Sequence, residues 1–122
     1  MRELPLDVST QFFKTDNVNA KLSVVAHIDL SSIQFLKQEG RNVDDLLLVA
    51  ALFDSDGNYI TSTSQTIQMH LRDSTLEKLS HSGISVKTSM GVKAGTYLMR
   101  VVVRDSQSTR IAALSRAVTI PF

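Results

Sequence analysis

The chain has 122 residues, 43% of them hydrophobic and 20% charged, with a formal net charge of +1 and no cysteine. That length suits one domain with a self-sufficient core, and the balance is that of a globular rather than a disordered chain. Disulfides and thiolate metal sites are excluded, and no lysine/arginine cluster gives the electrostatic footprint of nucleic-acid binding.

No apolar run approaches the ~20 residues of a membrane-spanning helix. The longest, residues 46–53, has the length of a buried strand. Met1–Leu6 lacks the apolar core of a signal peptide. An initiator Met placed directly before a charged, strand-like segment reads as the start of a piece excised from a longer protein. One domain is expected over residues 1–122.

In chain order, the first expected strand is residues 6–13, with Pro5 before it as suits an edge. Residues 20–29 alternate. Leu22, Val24, Ala26 and Ile28 face one way, and Lys21, Ser23, His27 and Asp29 the other, with Val25 the exception. Residues 33–37 are a short strand candidate, followed by turn chemistry at Gly40-Arg41-Asn42. Residues 45–54 are apolar in both phases, so either Leu46, Leu48, Ala50 and Leu52 or Leu47, Val49, Ala51 and Phe53 point inward. Asp56-Gly57 marks a hairpin into residues 59–71, whose hydroxyl- and amide-rich middle, 61–66, belongs at an edge or a kink. Residues 74–80 break the β pattern. Ser74 and Glu77 have capping-box spacing, Leu76 and Leu79 share a helical side, and Gly83 can end the turn.

Residues 84–90 alternate again. Lys93–Asp105 then carries a Gly-containing turn into a long strand with Tyr97, Met99, Val101 and Val103 on one side. A Tyr just after a turn, opening a long strand, recurs in immunoglobulin-type sandwiches. A polar loop over 105–109 and a last strand over 110–120 complete the pattern. The expected fold is all-β: a two-sheet immunoglobulin-like or fibronectin III-like sandwich of seven to eight strands, with one short helix near 74–80. Leu22, Val24, Ile28, Leu76, Leu79, Tyr97, Met99, Val101 and Val103 are its expected core.

Sharper chemistry finds little support. Asp54, Asp56 and Asn58 alternate like calcium ligands, but the later Gly and the distant bidentate Glu are missing, so a plain hairpin is the better reading. His27, His70 and His81 have no metal-ligand spacing. No Ser sits in a Gly-x-Ser-x-Gly elbow, and the five glycines fall one per turn, with none opening a long helix to hold phosphate. No cofactor, metal or catalytic residue is assigned, and the chain is expected not to be an enzyme. Surplus apolar surface is the one positive signal. With Tyr97 inward, Leu98 and Val102 face outward beside Arg100 and Arg104, and one phase of 45–54 must join them. These four residues are the candidate interaction surface, for a neighbouring domain or another protein. A carbohydrate-binding module is the alternative, weakened by the lack of Trp and the presence of only two Tyr.

Leu52–Tyr59, Lys93–Asp105 and the closing Val118-Thr119-Ile120-Pro121 together resemble the C-terminal β-rich segment of bacterial proteins related to von Willebrand factor type A domains. The likeness runs from about Val24 to Pro121. It implies an accessory or spacer module of an exported parent, in the cell envelope or outside the cell. The type A metal motif Asp-x-Ser-x-Ser is absent. Asp7-Val8-Ser9-Thr10-Gln11 comes nearest and fails at its last position, so the resemblance carries over no site residue.

Overall fold

A computed structural model describes residues 6–30, 33, 35–106 and 111–121. In order these form β1 (Leu6–Lys14), β2 (Asn19–Ile28), β3 (Leu36–Gln38), β4 (Arg41–Asp54), β5 (Tyr59–Leu71), α1 (Asp73–Ser82), β6 (Ile84–Lys93), β7 (Gly95–Asp105) and β8 (Ile111–Ile120). All strand pairs are antiparallel. One sheet has the order β1-β2-β6. The other is built on β4, which pairs β5 along one edge and β7 along the other, with β8 beyond β7. β3 pairs only residues 41–43 of β4, ahead of the stretch that β7 takes, so it continues the β7 side. The fold is an all-β, two-sheet immunoglobulin-like sandwich, as the alternation predicts.

The core lies between the sheets. Ala20, Leu22, Val24, Ala26 and Ile28 of β2 face Leu46, Leu48, Ala50 and Leu52 of β4 and Tyr97, Met99, Val101 and Val103 of β7, all buried. This settles the phase of β4, since its even-numbered residues go in. Each lateral opening is bridged by a side-chain hydrogen bond. Arg116, an inward-phase residue of the edge strand β8, donates from Nη1 to the Val8 carbonyl of β1. Across the other opening the Thr63 and Thr88 hydroxyls of β5 and β6 lie 3.3 Å apart.

Tyr97 is buried, and its hydroxyl donates to the Lys93 carbonyl at 2.6 Å, reaching back four residues over the β6–β7 corner. Gly95 takes φ +155 at that corner, a conformation L side chains rarely adopt, although a Cβ there would make only ordinary contact with the Tyr97 ring. Gly83 is required more strictly. Its φ is +72, and a Cβ would lie 2.7 Å from both the Ile28 carbonyl oxygen and His27 Nε2.

Four expectations need correction. Leu76 and Leu79 are only partly buried, and α1 contributes no fully buried residue. The helix lies on the outside, with only Leu79 packing on the core. The capping box does not form: α1 starts after Arg72 without a side-chain cap. Asp73 instead accepts from Lys37 Nζ at 2.5 Å and Asn42 Nδ2 at 2.8 Å. The strand expected over 33–37 is shifted to 36–38, because Ile33 closes a turn by donating from its backbone N–H to the Leu30 carbonyl, both side chains being buried. β4 starts at residue 41, not 45. Asn42 has no turn role here, and its Nδ2 also donates to the Leu71 carbonyl.

Candidate interaction face

Successive side chains of a strand point to opposite faces, so a buried even phase in β4 and a buried odd phase in β7 dictate what lies outside. The register then sets the rows of the outer face. Phe53 of β4 lies between Tyr59 of β5 and Leu98 of β7, and Leu98 is followed by Ala117 of β8. Val49 pairs Val102, which pairs Ala113. Leu47 pairs Arg104, which pairs Ile111. Between these rows Ala51 pairs Arg100, whose Nη1 approaches Ser115 Oγ at 3.4 Å.

The four expected surface residues do lie on one face. Leu98 is 47% exposed, Val102 half-buried, and both arginines exposed. Leu47 and Ile111 add exposed aliphatic surface. The Phe53 and Tyr59 rings meet edge to face at 6.2 Å, and the Tyr59 hydroxyl lies 2.7 Å from Ser62 Oγ. The result is an aliphatic strip with two guanidinium groups within it and an aromatic pair at one corner. Such a face offers apolar area to desolvate and two guanidinium groups set into it. Phe53, Leu47 and Ile111 could not be assigned from sequence, because the β4 phase was open and the β8 register unknown.

Of the other residues weighed for chemistry, Asp54 and His27 have hydrogen-bond partners. Asp54 is engaged by its own hairpin: Oδ1 accepts from the backbone N–H groups of Asp56 and Asn58 at 2.9 Å, and Oδ2 accepts from Asn58 Nδ2. The Asn58 backbone bond leads the causes that hold its carboxyl below the usual range. His27 Nδ1 lies 3.1 Å from Ser85 Oγ. His27 and Asp29 line one open hollow of about 270 Å³ beside Gly83 together with His81, which is distant from them in sequence. Among the described residues no three His, Cys, Asp or Glu side chains are grouped to hold a metal ion.

One polar cluster was not foreseen. Asp44 and Asp105 are both fully buried, at the end of the core opposite Tyr97. Asp105, expected to open a polar loop, is the last inward residue of β7. Asp44 Oδ1 accepts from the Asp45 backbone N–H at 2.9 Å and from Ser106 Oγ at 3.3 Å, while Oδ2 accepts no hydrogen bond. Burial, then the hydrogen bond and the charge of Asp105, push the Asp44 carboxyl up to about 7. Asp44 therefore holds its proton to a higher pH than an ordinary aspartate does, because the dry site disfavours its charged form.

No family model matches the chain, and no curated protein matches it. Solved structures do. A β-glucuronidase from glycoside hydrolase family 2 aligns over 93% of this chain and 11% of its own, at 12% identity and a TM-score of 0.60. A glycosyl hydrolase family 2 member from Bacteroides cellulosilyticus aligns over 96% of this chain and 14% of its own, at 13% identity and a TM-score of 0.62. The β-glucuronidase of Bacteroides uniformis aligns over 94% and 13%, at 14% identity and a TM-score of 0.58. At such identities the likeness is one of fold. The chain spans about one eighth of the length of these enzymes, and over that span the shared architecture is the β-sandwich.

Proposed function

We propose that this chain is a non-catalytic accessory module of a larger protein, and that it docks through the outer face of its five-stranded sheet onto a neighbouring domain of the same polypeptide. The observation that carries this reading is the continuous strip of Leu47, Val49, Phe53, Leu98 and Val102 across two paired strands, with Arg100 and Arg104 set into it. An apolar strip of this kind is stabilised by cover, and the two arginines favour a partner surface that bears carboxylates. The alignment of nearly the whole chain with a small part of much longer enzymes supports a modular role. An exported bacterial parent related to von Willebrand factor type A proteins belongs to this reading, on the motifs of Leu52–Tyr59 and Lys93–Asp105.

The test is association with the domain that adjoins this one in the parent polypeptide, measured by calorimetry with the two produced separately. Leu98→Asp with Val102→Asp places two carboxylates in the strip and is expected to weaken association by roughly 100-fold or more, the scale of losing a central hot spot. Unchanged affinity in a variant that keeps its thermal transition would overturn the assignment of this face.

A second reading, carbohydrate binding, rests on the Phe53–Tyr59 ring pair, since Tyr59 is 61% exposed at the edge of the same face. The neighbours are glycoside hydrolases by their names, which is consistent with it. A glycan array without hits would remove this reading for the sugars displayed.

A further inference from the structure

β6 is an edge strand. It pairs β2 on one side, and β5, the next strand along the other opening, is hydrogen-bonded to β4 in the opposite sheet. The hydrogen-bond phase of β6 follows from a single contact. The Ala94 N–H donates to the Val18 carbonyl at 2.8 Å, continuing the register Asn19↔Lys93 and Ala20↔Val92. In an antiparallel pair, alternate residues turn both backbone groups toward the partner and the rest turn both away. The backbone groups of Val92 and Met90 therefore face β2, and those of Gly91 and Lys93 face the free edge. The Lys93 carbonyl agrees with this phase, since it receives the Tyr97 hydroxyl.

The free edge opens onto a cleft of about 500 Å³. Gly91, Val92 and Lys93, with Asn19 of the neighbouring β2, form one wall, Ile60 and Thr61 of β5 the other, and Tyr97 also lines it. The cleft is wedge-shaped, because β5 and β6 meet further along at Thr63 and Thr88. Two local features hold it open. Between Leu52↔Thr61 and Phe53↔Tyr59 the register slips by one, so Ile60 has no partner on β4; this bulge leaves its side chain 43% exposed at the cleft. Gly91 is not a positive-φ glycine, and a Cβ there would meet nothing within 4 Å. Neither backbone strain nor packing requires glycine at 91, whereas close approach of another backbone would be eased by it.

We infer that the β6 edge at Gly91–Lys93, with the cleft beside it, is a binding site for an extended peptide that adds as a strand. The Gly91 N–H and C=O and the Lys93 N–H supply three backbone hydrogen bonds. The alternation of β6 sets the side-chain pattern of the peptide. The residue opposite Gly91 lies over the glycine, on the outer face. Its two neighbours, opposite Met90 and Val92, are in the inward phase and point into the cleft, so they are apolar. The next positions lie beside Lys93 and Ser89, where Lys93 and Lys87 on the same outer face favour carboxylates. The recognised segment is an extended peptide of the form acidic–apolar–x–apolar–acidic.

The probe is a capped Glu-Val-Thr-Val-Glu peptide titrated into the 15N-labelled domain. Saturable amide shifts are expected at Ile60, Thr61, Gly91 and Lys93. N-methylation of the central peptide Thr removes the donor to the Gly91 carbonyl and should weaken binding roughly fivefold or more. Gly91→Pro deletes the outward N–H at an edge position where proline is tolerated and should do the same, with thermal unfolding as the control for folding. Absent shifts, shifts confined to other surfaces, or equal binding of the N-methylated peptide would each overturn the inference. So would the same shifts on concentrating the protein alone, which would assign the edge to a second copy. The docking face around Leu98 is a separate surface, and neither test depends on the other.

Discussion

β7 places a polar residue in the core at each of its ends, and the two solutions differ. At the start, Tyr97 buries an aromatic ring and sends its one hydroxyl 2.6 Å to the Lys93 carbonyl, so the buried donor is satisfied. At the finish, Asp105 enters the same dry layer beside Asp44, and Asp44 Oδ2 accepts no hydrogen bond. One end carries a neutral group with one partner. The other carries a carboxyl, Asp44, whose proton is held by burial and by the carboxyl beside it. Similar burial in one strand phase thus gives a fixed anchor at one end and a titratable weak point at the other.

The largest expected effect lies at the carboxyl end. The folded-state value of Asp44 is about 7, against an ordinary 3.8. Below the ordinary value both folded and unfolded chains hold the proton, and Asp44 costs nothing. Between about pH 4 and 7 the unfolded chain releases it and the folded chain does not, so the contribution of Asp44 to stability falls as pH rises. Above 7 the full cost is present. Asp44→Asn replaces the titrating carboxyl with a neutral amide of the same shape. It should flatten that slope and raise stability at pH 8 by roughly 1–4 kcal/mol, read by urea denaturation at pH 5 and pH 8. Asp16, Asp54 and Asp73 behave oppositely. Local hydrogen bonds hold them below the usual range, so what they add is present above the ordinary value and lost as pH falls through their lowered ones. The two effects occupy different windows and can be separated in one pH series.

The two ends were not equally legible in the sequence. Tyr97 could be placed because its strand alternates cleanly and follows a Gly turn, a pattern in which burial and period agree. Asp44 could not. Gly40-Arg41-Asn42 reads as turn chemistry, Asp44 falls just ahead of the strand expected from residue 45, and that strand is apolar in both phases, so nothing local shows that an aspartate continues the inward phase of Leu46. Asp105 looked like the start of a loop for the same reason: a charged residue at a strand end is usually wet. The outer face was half legible. Leu98, Arg100, Val102 and Arg104 follow from the phase of Tyr97, whereas Leu47, Phe53 and Ile111 need the cross-strand register. The helix could be placed but not its depth, because Leu76 and Leu79 share a side whether that side meets the core or rests at its rim.

At the tyrosine end the effect should be smaller and independent of pH. Tyr97→Phe keeps the ring and deletes the hydroxyl, leaving the Lys93 carbonyl without this donor. The expected loss is about 1 kcal/mol, equal at pH 5 and pH 8 by the same denaturation measurement. A loss that varied between those two pH values would mean that the two ends are coupled through β7 rather than independent.

The smallest effect concerns Ser106, whose hydroxyl donates to Asp44 Oδ1 at 3.3 Å and works against the burial of the carboxylate. This bond is long, and it helps only the ionised form of its partner. Ser106→Ala should therefore leave stability at pH 4 unchanged and cost less than about 1 kcal/mol at pH 8. It should also move the Asp44 titration, followed by the 13C shift of its carboxyl carbon, to higher pH. Asp44→Asn and Ser106→Ala thus act on one group in opposite senses, the first removing the charge and the second removing a donor that supports it. A titration moved to lower pH by Ser106→Ala would show that the hydroxyl serves the protonated pair instead, and would reverse the hydrogen-bond direction assigned to this end of the core.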